Sequence, residues 1–334
     1  MKIRYFFPLL LLVLSSCTDK DVFFENAQCY TDVNVIDAEQ GIRENMTVVV
    51  HNGRIARISP SEELILSSNN NIIDGSGKYM IPGLWDAHVH FSYLEELAPI
   101  MFNLFLAYGV TSVRDTGGDI NFTSMWRARA KSNPEDAPRV MIAGPLLDGS
   151  PNVYDGSSPS RPKLSVEIKS RQDALITTDM YIESGVDFIK AYEMLSPEEF
   201  ITVCNVANGA GLKVTGHVPL SMDVIAASNA GLNSMEHLRN LEMSCATNSE
   251  ELLQDRIQLL EAGKDDQGGV LRSRIHGAQR IKAIENQDDQ RTDEVLTVLR
   301  KNQTWQIPTL ALISGFVERP FLSEDWQKSI DLLP

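Results

Sequence analysis

No Cys-x-x-Cys pair occurs in these 334 residues, so the usual cysteine zinc sites are not written here. Four cysteines are present in all, and once Cys17 is set apart, Cys29, Cys204 and Cys245 are too few for a disulfide framework. An exported compartment would permit one bridge, but core or incidental thiols are the simpler reading. Excess positive charge is lacking: 30 Lys and Arg against 45 Asp and Glu leave a net charge of -15. That argues against nucleic acid or an anionic membrane surface as the main partner. Long apolar runs are scarce too. Phe6 to Leu14 is too short to cross a bilayer, which takes about 20 residues. What is present is a 43% hydrophobic content, enough to build a sizeable core. The length suits one large domain and a smaller one.

Lys2 and Arg4 precede the Phe6–Leu14 run, and Leu14-Ser15-Ser16-Cys17 follows it. This is the layout of a secretory signal peptide. It resembles a bacterial lipoprotein signal, in which the cysteine after small residues is lipidated and becomes the mature N-terminus. Residues 1–16 are therefore expected to be removed. Cys17 would carry the lipid anchor, residues 17–26 would be a polar tether, and the protein would sit in the periplasm or on the outer membrane.

From residue 27 to 80 short β runs alternate with turns. Asn52-Gly53 between two alternating apolar runs predicts a hairpin, and the segment reads as part of a small β-sandwich. His51, just before that turn, reads as an exposed strand residue without chemistry. After Ile81 the texture changes to strand–helix alternation, which predicts a parallel sheet with helical crossovers. Seven strands can be counted, over 83–91, 110–118, 138–145, 186–192, 212–219, 231–238 and 305–312. Helices are expected over 94–109, 171–185, 196–211 and 221–231. Gly109, Gly185 and Gly231 stand where helices should end. Ser196-Pro197-Glu198-Glu199 writes an N-cap, a proline at the first helical position and acids in the first turn. The fold class is α/β, a (β/α)8 barrel over 81–334 whose eighth strand is missing. Residues 246–303 form a charged helical insertion, read as either a lid over the barrel mouth or a solvated hairpin. His276 within it reads as a surface residue.

Histidine numbers only six, yet His88 and His90 lie two apart on one strand, so both side chains point to one face. They end that strand, where barrel active sites lie. Lys190, His217 and His237 end the fourth, fifth and sixth strands, and apolar neighbours place Lys190 in the interior. Four of six histidines and one lysine thus meet at one mouth. Asp86 and Glu236 alternate away from the histidines beside them, which makes them supporting or structural residues. Arg114 to Gly118 would line the substrate pocket.

Five segments, "IDGSGKYMIPGLWDAHVHF", "DFIKAY", "VTGHVP", "SMEHL" and "WQIPTLAL", make the chain resemble the amidohydrolase superfamily, in its imidazolonepropionase-related and Xaa-Pro dipeptidase-like branch. The resemblance spans roughly residues 27–312. It implies a hydrolase of amide C–N bonds with two divalent metal ions, zinc foremost. One ion would lie on His88 and His90 and the second on His217 and His237, with Lys190, carboxylated by CO2, bridging them. A desolvated lysine beside cations becomes a neutral amine that can take up CO2. Imidazole suits zinc-like ions, and two close ions would activate a bridging hydroxide and polarise the scissile carbonyl. Tyr192 shares the face of Lys190; it would contact substrate or be a buried aromatic.

That family also uses an aspartate after an eighth strand as general base. None of Glu318, Glu324, Asp325 and Asp331 ends an apolar β run, so the chain reads as C-terminally cut short, without the base. The substrate implied is a dipeptide or other small molecule. The alternatives are a cyclic-amide hydrolase or deaminase, types that often use one metal and lack the lysine, and an inactive metal-binding lipoprotein. Oligomeric state is not written in the sequence.

Overall fold

The structure is a computed structural model and describes residues 24–330; the signal segment and Cys17 lie outside them. The chain divides into two compact units, up to Pro82 and from Gly83.

The first unit holds β1 (Gln28–Asp37), β2 (Gly41–His51), β3 (Arg54–Pro60), β4 (Asn71–Asp74) and β5 (Tyr79–Met80). They form one mixed sheet ordered β3-β2-β1-β4, with β5 also on β1. β1, β2 and β3 are antiparallel; β4 and β5 run parallel to β1. Asn52 and Gly53 turn the predicted hairpin with φ of 51° and 71°, the left-handed pair a tight two-residue hairpin requires. Val33, Val35, Met46 and Val48 are its apolar core. Among the described residues of this unit the strands make one layer, not the two of a sandwich.

The second unit alternates as expected: β6 (Leu84–Val89), α1 (Ala98–Ala107), β7 (Val110–Asp115), α2 (Ile120–Ser132), β8 (Arg139–Ile142), β9 (Leu146–Asp148), β10 (Ser165–Glu167), α3 (Arg171–Glu183), β11 (Phe188–Ala191), α4 (Pro197–Gly209), β12 (Lys213–Gly216), α5 (Val224–Asn229) and β13 (Ser234–Glu236). Then come α6 (Leu241–Ser244), α7 (Ser249–Ala262), α8 (Gly268–Glu285), α9 (Asp289–Lys301), β14 (Trp305–Ile307), α10 (Leu310–Glu318) and α11 (Glu324–Ile330). Local chemistry sets these bounds. Ser196 and Glu199 form a reciprocal capping box at the start of α4, satisfying two otherwise orphaned backbone donors. Gly109 and Gly185, at φ 74°, end their helices in the left-handed region.

All seven expected strand positions are occupied by parallel strands. The third is broken at Ala143-Gly144-Pro145, so that β8 pairs with β7 while β9 pairs with β11 and with β10. β10 carried no sequence signal. Two sheets result, β6-β7-β8 and β10-β9-β11-β12-β13-β14. Among the described residues β14 and β6 are sheet edges with no ladder joining them, so ring closure is not seen. A cavity of about 1030 Å³ lies inside, lined by Trp85, Arg114, Phe188, Thr215 and Gln306 among others. A closed eight-stranded barrel fills that space with side chains from all its strands.

The insertion differs from the solvated-hairpin expectation. α9 buries Val295 and Leu299 in the main core. α8 packs Leu271 and Ile275 against Leu146, Tyr192, Met194 and Leu220. Its start is pressed so close to the loop after β9 that a Cβ on Gly268 would lie 2.2 Å from the Pro151 carbonyl oxygen. These helices are docked and do not form a solvated hairpin. β14 is shorter than expected, because Pro308 lacks an N–H and Thr309 is left-handed at φ 50°.

Candidate metal centre

The four strand-end histidines converge. Ring centroids of His90 and His88 are 5.1 Å apart, those of His88 and His237 4.3 Å, and those of His237 and His217 5.1 Å. Each imidazole is tied down by its Nδ1. His88 donates to Glu236 Oε2 at 2.7 Å and His90 to the Gly117 carbonyl at 2.7 Å. His217 donates to Glu193 Oε1. His237 donates to Thr309 Oγ1 at 2.7 Å, a hydroxyl whose own proton goes to the Pro308 carbonyl. Every partner accepts, so each ring carries its proton on Nδ1 and leaves a lone pair on Nε2; the Thr116 hydroxyl stands 3.4 Å from that of His90.

Those lone pairs face one another. His88 Nε2 and His90 Nε2 stand 3.2 Å apart, a repulsive contact with no proton to share. Two nitrogens on one tetrahedral zinc, with bonds of about 2.0–2.1 Å, would be separated by about that distance. Lys190 gives the second sign. Only 1% exposed, its Nζ has no hydrogen-bond partner, and the nearest carboxylate oxygen, Glu236 Oε1, is 3.9 Å away. A buried unpaired ammonium is costly; a carbamate there would turn a cation into an anion with two ligating oxygens. Among the described residues no three His, Cys, Asp or Glu side chains suffice to hold an ion by themselves. The imidazoles form one run, His90, His88, His237 and His217, and a modified lysine would add oxygen ligands to it. The donor set fits divalent metal.

The electrostatics agree. Burial, aided by His88, pushes His90 down to about 3; burial also takes His237 down to about 3 and His217 well below the usual imidazole range. Burial lowers His88 as well, with Lys190 assisting and Glu236 opposing, and all four shifts favour the neutral imidazole that a metal requires. Burial lowers the Lys190 ammonium to about 8, with Glu236 opposing and Arg114 assisting. Burial pushes the Glu236 carboxyl up, but Lys190 and His88 outweigh it and hold it down at about 2.

Tyr192 stands where its strand period places it, its ring centroid 4.3 Å from that of His217 and 5.8 Å from that of Tyr154. Arg114-Asp115-Thr116-Gly117 does more than line a pocket. The Gly117 carbonyl holds His90, and the buried Asp115 accepts from the Phe91 and Gly117 N–H groups. Asp86 accepts from the His88 N–H at 3.1 Å. Glu236 supports a histidine, as expected, but points inward rather than away. His237 has φ 57°, which breaks the strand alternation at that step and lets both neighbours face the site.

Several contributors carried no legible sequence signal. Glu193 is fully buried and accepts from His217, from Arg272 Nη2 at 2.9 Å and from His276 Nε2 at 2.7 Å. His276 is thus no surface residue; it is 8% exposed. Thr309 could have been suspected only once β14 was seen to stop at Ile307. Of the late carboxylates, Glu318, Glu324 and Asp325 are exposed on α10 and α11, and Asp331 lies outside the described residues. None of the three described ones reaches a strand end.

Comparison with known proteins follows the same line. The dihydroorotase of Trichlorobacter lovleyi is 48% identical over 56 residues, 17% of this chain and 13% of that protein. The dihydroorotase of Geobacter metallireducens is 25% identical over 210 residues, 60% of this chain and 45% of that protein. The chain therefore spans less than half the length of these two relatives. Among solved structures, a Xaa-Pro dipeptidase with bound methionine superposes with a TM-score of 0.59 at 18% identity, covering 84% of this chain and 79% of that one. A prolidase complexed with N-methylphosphonate-L-proline gives 0.57 at 18%, covering 84% and 77%. The A. niger ochratoxinase gives 0.59 at 16%, covering 92% and 71%. Similarity at this level of identity shows the fold. The amidohydrolase family model matches residues 79–273, more than half of the chain, and the chain belongs to the amidohydrolase family.

Proposed function

We propose that this chain is a metal-dependent hydrolase of amide C–N bonds in a dipeptide or other small substrate. The observation that carries the reading is the run of four Nδ1-anchored imidazoles together with a buried Lys190 Nζ that has no hydrogen-bond partner. His88 and His90 would hold one divalent ion, and His217 and His237 a second. Lys190 would bridge them after its neutral amine adds to the carbon of CO2 and gives up a proton. Zinc is the first candidate, since imidazole-rich sets suit it. Bound there, two ions supply Lewis-acid polarisation of a substrate carbonyl and a lowered pKa for water. Glu236, Gly117, Glu193 and Thr309 keep the four rings in the ligating tautomer. Tyr192, against His217, would orient the substrate carbonyl or its terminal carboxylate.

A cyclic amide is the second reading, favoured by the local likeness to dihydroorotases. Purified protein from residue 18 onward, assayed by elemental mass spectrometry and then offered Xaa-Pro dipeptides and cyclic amides, tests both. About two ions per chain with dipeptide turnover is expected. Turnover of cyclic amides alone would replace the first reading with the second, and bound metal with no turnover would leave a binding protein. We further propose export and lipid anchoring through Cys17, on the signal-like Met1–Cys17 segment. Labelled palmitate should enter the whole chain in a bacterial host and fail to enter Cys17→Ser.

A further inference from the structure

His217 is the ligand candidate whose anchor is itself anchored from the helical insertion. Its Nδ1 partner, Glu193, is a buried carboxylate that also takes hydrogen bonds from Arg272 Nη2 at 2.9 Å and His276 Nε2 at 2.7 Å. Arg239 Nε stands 3.9 Å away. Arg272 and His276 are four residues apart on α8, on one helical face. Leu271 and Ile275 of the same helix pack against Tyr192, Met194 and Leu220, the residues that flank Glu193 and follow His217. Gly268 and Gly269 let the helix start touch the loop after β9; a Cβ on Gly269 would lie 2.3 Å from Arg161 Nε. The Nδ1 partners of the other three histidines are Glu236, a main-chain carbonyl and a threonine hydroxyl; Glu236 is backed by the Thr215 hydroxyl and by Arg114 Nη2 at 3.5 Å, from the strands rather than from α8.

We propose that Arg272 and His276 of α8 are positioning residues for the His217/His237 ion. By fixing both oxygens of Glu193 they aim the His217 lone pair, so the helical insertion sets the affinity of one metal position and not the other. This rests on the reading of the four histidines as ligands. The physical ground is that a carboxylate oriented by two further donors cannot swing away from the imidazole it holds. Outer partners of metal-bound histidines typically govern about 10- to 100-fold in affinity.

The test is cobalt(II) titration of the metal-free full-length protein, read by visible absorption and chelator competition, with no catalytic assay. Repeating it in a His88→Asn background isolates the His217/His237 position. His276→Ala and Arg272→Met are each expected to weaken that position at least tenfold while the His88/His90 position stays within twofold. His276→Gln, which keeps a donor at the right reach and is the milder change should His276→Ala not fold, is expected to recover most of the loss. Equal weakening at both positions, or no weakening in folded variants, would overturn the proposal. Failure of the unaltered protein to bind cobalt would instead remove the ligand reading, and this inference with it.

Discussion

At the scale of single residues, Lys190 concentrates the chemistry. Its Nζ is buried without a hydrogen-bond partner, the nearest carboxylate oxygen 3.9 Å away, so its burial makes sense as an anion precursor rather than as a cation. Lys190→Ala should lose most bound metal, and acetate or propionate should restore part of it by occupying the vacated bridge; full metal content without them would end the carbamate reading. Tyr192→Phe removes one oxygen and leaves the ring against His217. Turnover should fall about tenfold, about what one ordinary hydrogen bond to substrate supplies, with metal content unchanged, and equal turnover would make Tyr192 a packing residue. Asp148 offers a pH test away from the metal. Burial pushes its carboxyl up to about 7, against N–H groups from Gly149, Val153 and Met194. An unfolded Asp titrates near 4, so between about pH 4 and 7 the folded chain holds a proton the unfolded chain has lost. Stability from this group is then full below about 4 and declines as pH rises towards 7. Melting curves of Asp148→Asn across that window should lose this decline; an identical slope would mean the carboxylate is ionised in the fold.

At the scale of elements, much was legible. Alternation and turn chemistry located the seven strands and the Asn52-Gly53 hairpin, because those signals are local. The strand-end positions of His88, His90, Lys190, His217 and His237 followed from the same period and from the likeness to a known family. What escaped was whatever depends on folding back. Glu193 meets Arg272 and His276 across 79 and 83 residues, and no periodicity encodes that meeting. The charge of the insertion suggested solvent, yet α8 turns Arg272 inward to pair with Glu193 and buries His276 beside it. Glu236 was misaimed because alternation was extended one step beyond the strand, into the left-handed His237. The docking of α8 can be tested at its first residue. Gly268→Ala would drive a methyl to within 2.2 Å of the Pro151 oxygen and 2.3 Å of the Asn152 oxygen. A loss of about 1–3 kcal/mol is expected from such overpacking, read as a lower denaturant midpoint; no change would mean the helix start is loosely held.

At the scale of the whole molecule, metal and fold should be linked. Anything that binds only the native state stabilises it, by about 2.7 kcal/mol at a hundred times its dissociation constant. Zinc in that excess should therefore raise the melting temperature by several degrees, and the His88→Asn, His217→Asn double variant should lose the rise. An equal rise in that variant would place the binding elsewhere.

Because hydrogen bonds to the Nδ1 atoms already hold the imidazoles, with the His88 and His90 nitrogens at ligand spacing, most of the ordering entropy of the centre is spent during folding rather than at loading. The ions would then arrive at a finished cup, unlike small zinc domains that are unfolded without metal. Chelation should return a chain with native circular dichroism, and reloading should proceed at the pace of diffusion and ligand exchange instead of refolding. Evolution could thus exchange one divalent ion for another in this protein without renegotiating its fold.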